Sequence, residues 1–152
     1  MAETVTLTGE AREVALAEAQ SVQAMMGEGD KRARMNDLVA ALDEGEVEGE
    51  SARLLESVLE LGLQAGRIRA YYGPGGEQAA LATLRRLPRG RLRSESAREV
   101  SEALQTFGGR TLDSIRIAAV APGAFTLSLQ SGGVEAAIRL DTTGARLVSL
   151  ET

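Results

Sequence analysis

The fold of this protein is decided by residues 112–150, which read LDSIRIAAVAPGAFTLSLQSGGVEAAIRLDTTGARLVSL. Apolar and polar residues alternate through most of this stretch, and three short glycine-bearing segments interrupt the alternation. A period of two residues is typical of a strand with one buried face, and such segments join antiparallel neighbours. We therefore predict a meander of four antiparallel strands, with bounds near 112–120, 124–131, 134–141 and 145–150.

The register of the predicted hairpin at Gly132-Gly133 follows from side-chain parity. A slip of one residue moves every apolar side chain to the other face of a sheet. A two-residue turn of the primed kind, which suits two glycines, avoids that mismatch because every apolar residue then faces another. We predict the pairs Leu129–Ala136, Leu127–Ile138 and Phe125–Leu140.

The other two corners of the meander are interpreted in the same way. Residues 141–145 read DTTGA, which fits a type I turn followed by glycine in the left-handed region, a three-residue loop. That loop predicts Val148 opposite Ile138 and Leu150 opposite Ala136. At 121–123, a loop of odd length predicts the pairs Ile117–Leu127 and Ile115–Leu129.

A sheet with one apolar face requires a cover, and the segment before this sheet has the pattern of a helix. Ser96 and Glu99 form a capping box, and Gly108-Gly109 end the helix. The apolar residues at helical spacing between them are Ala97, Val100, Leu104 and Phe107. We predict that this helix packs on the inner face, so that residues 94–152 form a helix-plus-meander region. A region this small buries little surface, and we expect it to pack on the N-terminal half or on a second copy.

Residues 1–88 are predicted to be almost wholly helical. The first helix covers about 9–26, and its alanine-rich stripe, Ala11, Ala15 and Ala19, would let another helix approach closely. The second helix begins near Asp30, the third covers 51–65 and the fourth follows Gly76 and reaches Leu87. The third is apolar over a wide arc, with Leu54, Leu55, Val58, Leu59, Leu61 and Leu63, and is the predicted centre of the N-terminal core.

Two short stretches of the N-terminal half allow more than one interpretation. Residues 4–8 fit a short edge strand, and Thr8 also fits the N-cap of the first helix. Residues 67–72 fit either another helical turn or a short strand. Pro88, Arg89 and Gly90 end the fourth helix, so residues 89–93 are predicted to be an arginine-rich linker. The predicted fold class is α+β: a mostly helical N-terminal half, then one helix packed on a four-stranded antiparallel meander.

Composition excludes several kinds of chemistry. The 152 residues include no cysteine and no histidine, which removes disulfides, thiolate nucleophiles, imidazole bases and Cys/His zinc sites. The apolar fraction of 43% is enough for a folded core. No run approaches the roughly 18 apolar residues of a membrane span, and the start of the chain lacks the apolar region of a signal peptide. We expect a soluble, cytoplasmic, acidic protein with a net charge of −5.

Positive charge is concentrated in one segment. Residues 67–98 contain eight arginines and two acids, and five of these arginines fall within nine residues: Arg85, Arg86, Arg89, Arg91 and Arg93. Clustered guanidinium groups can neutralise phosphates, so these five are candidate contacts to an anion or a nucleic acid. No aromatic residue lies among them for base stacking. The other interpretation is a solvated linker, or a partner for the acidic loop at 43–50, within the fold or across a dimer.

Three further patterns resemble known sites without matching them. The segment GPGG at 73–76 opens a helix but lacks the lysine of a P-loop. DTTGA at 141–145 has one threonine more than the motif of aspartic proteases. The acidic loop at 43–50 lacks the spacing of an EF-hand. We therefore assign no catalytic, cofactor-binding or metal-ligating residue, and no resemblance to a known family is close enough to transfer one.

The outer face of the predicted sheet is the remaining candidate surface. The predicted register aligns two rows across the strands: Ala118, Thr126, Arg139 and Leu147, and Arg116, Ser128, Ala137 and Ser149. Arg116, Thr126, Ser128 and Arg139 are the residues that would contact an anion or a protein there. We expect the N-terminal helices or a second subunit to cover this face.

These observations favour an interaction protein over an enzyme. We expect a non-catalytic interaction or scaffold/regulatory protein that forms a homodimer or binds another protein, without a cofactor and without a membrane. Its contact surface would be the outer sheet face or the alanine-rich first helix. The alternative is binding of a nucleic acid or a phosphate ligand through residues 85–98. An enzyme ranks third, because no pair of carboxylates or tyrosines can be singled out for acid-base chemistry.

Overall fold

The structure, a computed structural model, describes residues 3–152. Its elements are β1 (Val5–Thr6), α1 (Gly9–Met25), α2 (Asp30–Glu44), β2 (Glu46–Val47), α3 (Gly49–Gln64), α4 (Arg67–Arg86), α5 (Pro88–Gln105), β3 (Ser114–Ala121), β4 (Ala124–Ser131), β5 (Val134–Asp141) and β6 (Gly144–Glu151). Helices precede an antiparallel sheet of four strands, so the predicted α+β class is confirmed. The chain divides into two compact units between Arg91 and Leu92, inside α5.

The first unit is built around one apolar core. Leu38 and Leu42 of α2, Leu55 and Leu59 of α3 and Ile68 of α4 are fully buried in it. The central place predicted for the third helix holds for most of its leucines, but Leu61 is exposed. Ala15 and Ala19 of α1 are also buried in this core. The alanine-rich stripe is therefore packed within its own unit, and association through another face of the first helix stays a prediction.

The structure resolves both ambiguous stretches of the N-terminal half. Val5 and Thr6 pair with Val47 and Glu46, and Thr8 lies at the N-cap of α1, so both interpretations of residues 4–8 hold. Residues 67–72 are helical and form the first part of α4. A kink at Gly73, whose φ of 71° is left-handed, separates this part from the rest of the helix.

Helix α5 begins earlier than the sequence predicts. The division between the two units falls inside the predicted linker at 89–93, but that segment is helical, and the expected start near Ser96 is wrong. Pro88 suits the first position of a helix because its fixed φ is helical and it lacks the N–H that would be unpaired there. The carboxylate of Glu56 on α3 accepts hydrogen bonds from the next two backbone N–H groups, those of Arg89 and Gly90. Ser96 and Glu99 therefore lie within the helix, and the predicted capping box is wrong.

The second unit is the sheet with the C-terminal part of α5. The strands are ordered β3-β4-β5-β6, and each pairs antiparallel with the next. Val100 of α5 and Phe107 just beyond it form one buried cluster with Leu129, Val134 and Ile138; Ala136 also belongs to it. The prediction that the upstream helix packs on the inner face is confirmed.

The predicted register of the central hairpin is also confirmed. Leu129 pairs with Ala136, Leu127 with Ile138 and Phe125 with Leu140. In the first hairpin, Ile115 pairs with Leu129 and Ile117 with Leu127, as predicted. The odd parity there comes from a two-residue turn together with a bulge at Val120, since Ala119 faces Phe125 and Ala121 faces Ala124.

The last hairpin differs from the prediction near its turn. Asp141 faces Gly144 across a two-residue turn rather than a three-residue loop, so Ile138 faces Leu147 and not Val148. A bulge at Val148 then shifts the register. Leu150 consequently faces Ala136, as predicted.

Candidate functional site

The inner, apolar face of the sheet extends one strand beyond its helical cover. Ile115 and Ile117 of β3 are 59% and 62% exposed, although they pair with Leu129 and Leu127, which belong to the cluster around α5. Ala119, in the same alternation, and Phe125, which faces it from β4, are exposed as well. We call this exposed apolar surface the β3 strip; it consists of Ile115, Ile117, Ala119 and Phe125. An exposed contiguous apolar patch is typical of an interaction surface.

The two edges of the sheet differ in how they are protected. An edge strand presents unpaired backbone N–H and C=O groups, and charged residues or bulges commonly prevent it from pairing with another chain. Edge strand β6 has Arg146, Glu151 and a bulge at Val148 in its middle. Edge strand β3 has a single charged residue, Arg116, and its bulge is next to its last residue. The β3 edge is therefore the less protected one.

Two rows of residues are predicted across the outer sheet face; one is confirmed and the other differs at its last residue. Arg116, Ser128, Ala137 and Ser149 align as predicted. In the other row Ala118, Thr126 and Arg139 are followed by Arg146. The predicted place of Leu147 in this row is wrong, because the two-residue turn directs Leu147 to the apolar cluster.

The four site residues predicted on the outer face differ in what they contact. Arg116, Thr126 and Ser128 line one shallow depression of about 380 Å³. Arg139 is engaged instead with Asp141, at 3.7 Å. Arg146 lies at the same distance from that carboxylate. Arg116 forms no ion pair within residues 3–152.

The turn that follows Asp141 lowers the pKa of its carboxyl group. The side-chain hydroxyl and the backbone N–H of Thr143 both donate to its carboxylate. These hydrogen bonds are the main reason why the pKa of Asp141 lies below its ordinary value, and the two neighbouring arginines, Arg146 and Arg139, lower it further. DTTGA therefore forms a hydrogen-bonded hairpin turn.

The five arginines of the basic segment do not form one free cluster. Arg89 lies 3.6 Å from the carboxylate of Glu56 and 3.7 Å from that of Glu60. Arg91 pairs with Glu3. In the second unit Arg93 lies beside Gly144, where an added Cβ would be 3.6 Å from its Cγ.

Arg85 and Arg86 occupy the last turn of α4. Positive charge is favourable there because of the helix dipole, and neither residue forms an ion pair among the described residues.

The acidic residues at 43–50 have partners other than the basic segment. Arg12 contacts Asp43 at 3.9 Å, Arg34 contacts Glu50 at 3.4 Å, and the hydroxyl of Thr4 donates to Glu48. Arg89 and Arg91 of the basic segment bind Glu56, Glu60 and Glu3 rather than this loop. A contact between the loop and the basic segment across a dimer stays a prediction. In the part of the chain that the structure describes, no three metal-ligating side chains form a cluster.

Sequence reasoning missed a buried carboxylate between α1 and α4. Glu18 is 2% exposed; the hydroxyl of Tyr72 donates to it at 3.2 Å, and Arg67 Nε lies 3.5 Å from the same oxygen. Burial, and then the charge of Glu18, raise the pKa of Tyr72. These residues border an open cleft of about 440 Å³ whose rim includes Met25. No local signal marked Glu18, because its partners are about fifty residues away in the sequence.

Comparisons with known proteins identify no relative of this chain, so a function can be argued only from the geometry of its surfaces. A scan against protein-family models, a search of curated proteins and a search of solved structures each found no match to this chain. Across residues 3–152, no helix combines the length and apolar character needed to cross a membrane. The β3 strip, the outer face around Arg116, the Glu18 cleft and the end of α4 at Arg85 and Arg86 are surfaces from which a function can be argued.

Proposed function

We propose that this protein is a non-catalytic interaction protein that self-associates through the β3 strip. The observation that carries the proposal is the exposure of Ile115 and Ile117 on an unpaired edge strand, at 59% and 62%. Large apolar side chains such as isoleucine stabilise a protein when they are removed from water. A group of them exposed together on the surface promotes binding to another protein. A scaffold or regulatory role would follow from the assembly that the strip forms.

The partner that we propose is a second copy of the same chain. A homodimer uses the same patch on both subunits, so an apolar strip can meet itself without a charge mismatch. The strip contains no charged residue. The neighbouring Arg116 points to the other face of β3, because residues alternate between the faces of a strand.

The experiment is sedimentation velocity of the full chain over a wide concentration range. We expect a reversible dimer for the native sequence and a monomer for Ile115→Glu. The matched control is Val148→Glu, because Val148 is 61% exposed and lies on the opposite edge strand. A native chain that stays monomeric at millimolar concentration would exclude the proposal, and so would a dimer that Val148→Glu dissociates and Ile115→Glu does not.

A second candidate function is the binding of a nucleic acid or another phosphate ligand through residues 85–98. The free guanidinium groups of Arg85 and Arg86 at the end of α4 support it, although Arg89 and Arg91 are engaged with acids. A mobility-shift titration with mixed RNA and DNA tests it. Binding must weaken with added salt and be lost in Arg85→Glu/Arg86→Glu; the absence of binding at micromolar protein would remove this candidate.

A further inference from the structure

We infer that the β3 edge pairs antiparallel with the β3 edge of a second copy, centred on Ile117, so that two four-stranded sheets become one continuous sheet of eight strands. This inference rests on the proposed self-association and specifies its geometry. Pairing would satisfy the backbone groups on the open side of β3, and it would bring the two β3 strips side by side.

The symmetry of the dimer follows from strand direction. A strand that pairs with its own copy about a two-fold axis must do so antiparallel, and the two halves of the interface are then identical. Residues that face each other across such a pair lie on the same face of the sheet. The apolar strip therefore continues across the interface only when the two-fold axis lies at a residue, which then faces the same residue of the second copy. An axis between two successive residues would break the strip.

The two-fold axis could pass through Arg116, Ile117 or Ala118, and charge excludes Arg116. An axis through Arg116 would place two arginines directly opposite each other, which is destabilising. An axis through Ala118 would bring the bulge at Val120 opposite Arg116 and disturb the ladder. An axis through Ile117 uses residues 115–119, which lie within the regular part of β3, and it places Arg116 opposite Ala118.

Side-chain size also favours the axis through Ile117. In this register Ile115 faces Ala119 of the second copy, and Ile117 faces Ile117 of the second copy. Ala119 is paired on its other side with Phe125. The large side chain of Ile115 thus meets the small one of Ala119, and the ring of Phe125 lies on the next strand. Alternation of large and small residues allows close packing.

The experiment is a charge-complementation test at residue 117. Ile117→Lys and Ile117→Glu are purified separately, and each should dimerise about 100-fold more weakly than the native chain, because two isoleucines lose their burial and like charges oppose each other. A mixture of the two variants should form a heterodimer in sedimentation equilibrium. Ile117 is 62% exposed, so both variants should fold, which circular dichroism checks. Val148→Lys and Val148→Glu are the matched controls and should leave the dimer unchanged.

Cross-linking gives an independent readout, because the chain has no cysteine. Ile117→Cys should form an intermolecular disulfide under mild oxidation, since directly opposed residues of antiparallel strands are close enough for one. Val148→Cys should not.

The outcomes separate this inference from the proposed function. A monomeric native chain would overturn both. A native dimer that both charged variants dissociate, but that their mixture does not restore, would leave self-association standing and overturn the Ile117 register. Faster cross-linking of Val148→Cys than of Ile117→Cys would overturn the β3 edge itself as the contact.

Discussion

The carboxylate of Glu56 lies 2.9 Å from the backbone nitrogen of Arg89 and accepts its hydrogen bond, although 33 residues separate the two in the chain. Glu56 is 0% exposed, and the same carboxylate accepts a bond from Gly90. A carboxylate at the N-terminus of a helix satisfies N–H groups that have no partner within the helix and interacts favourably with the helix dipole. This contact explains why α5 begins at Pro88.

The first prediction concerns this cap. Glu56→Ala should lower the free energy of unfolding by about 1–3 kcal/mol, because the backbone N–H groups of Arg89 and Gly90 lose their acceptor. Urea denaturation followed by circular dichroism measures the change. Glu60→Ala is the control, since Glu60 is more exposed and should change stability by less than about 1 kcal/mol. Equal effects of the two substitutions would contradict the capping role of Glu56.

The second prediction concerns the close approach of α4 and α5 at Gly90. An added Cβ there would overlap the backbone oxygen of Leu84, which cannot move as a flexible side chain would. Gly90→Ala should therefore cost roughly 3 kcal/mol of stability. Gly133→Ala is the control, because nothing lies within 4 Å of its added Cβ. Thermal melts of both variants test this prediction, and a neutral Gly90→Ala would refute it.

The third prediction concerns Tyr72 at high pH. Its folded-state pKa is raised above 10.0, so the unfolded chain loses this proton first as the pH increases. The contribution of Tyr72 to stability is thus complete below about pH 10 and is lost as the pH rises through the folded pKa. Tyr72→Phe should lower stability at neutral pH by about 1 kcal/mol, through the lost hydrogen bond to Glu18, and should show a shallower alkaline decline.

The control for Tyr72 is its neighbour on α4. Tyr71 is 76% exposed, so Tyr71→Phe should change the stability at neutral and alkaline pH less than Tyr72→Phe does. Urea midpoints between pH 7 and pH 11 provide the measurement. The prediction fails if the two phenylalanine variants have the same profile.

The fourth prediction concerns Asp141 at low pH. Its folded-state pKa is depressed below 3.8, chiefly by the hydrogen bonds from Thr143. The carboxylate therefore contributes stability above the unfolded pKa, and that contribution is lost as the pH falls through the folded pKa. Asp141→Asn should bring the melting temperatures at pH 6 and pH 2.5 closer together than in the native chain. An unchanged difference would show that the turn hydrogen bonds do not favour the charged form.

Most of the meander could be predicted because its signals are local. The alternation around Phe125, Leu127 and Leu129 and the turn at Gly132 and Gly133 decide the central register through residues that are close in the chain. The candidate surface was only partly predictable. The sequence predicts Arg116, Thr126 and Ser128 on the outer face, but it does not predict the exposure of Ile115 and Ile117, since alternation alone favours their burial.

By itself, the sequence determined the α+β class, the four antiparallel strands and the pairing of apolar residues in the first two hairpins, because side-chain period and turn chemistry act over a few residues. The pairing in the last hairpin depended on a two-residue turn and a bulge at Val148 that the sequence pattern did not predict. Only the tertiary structure decided where α5 begins, because Glu56 reaches it from another helix. It also decided which apolar residues stay exposed. A helix about 10 Å across cannot cover four strands spaced about 4.8 Å apart, so the isoleucines of β3 remain exposed.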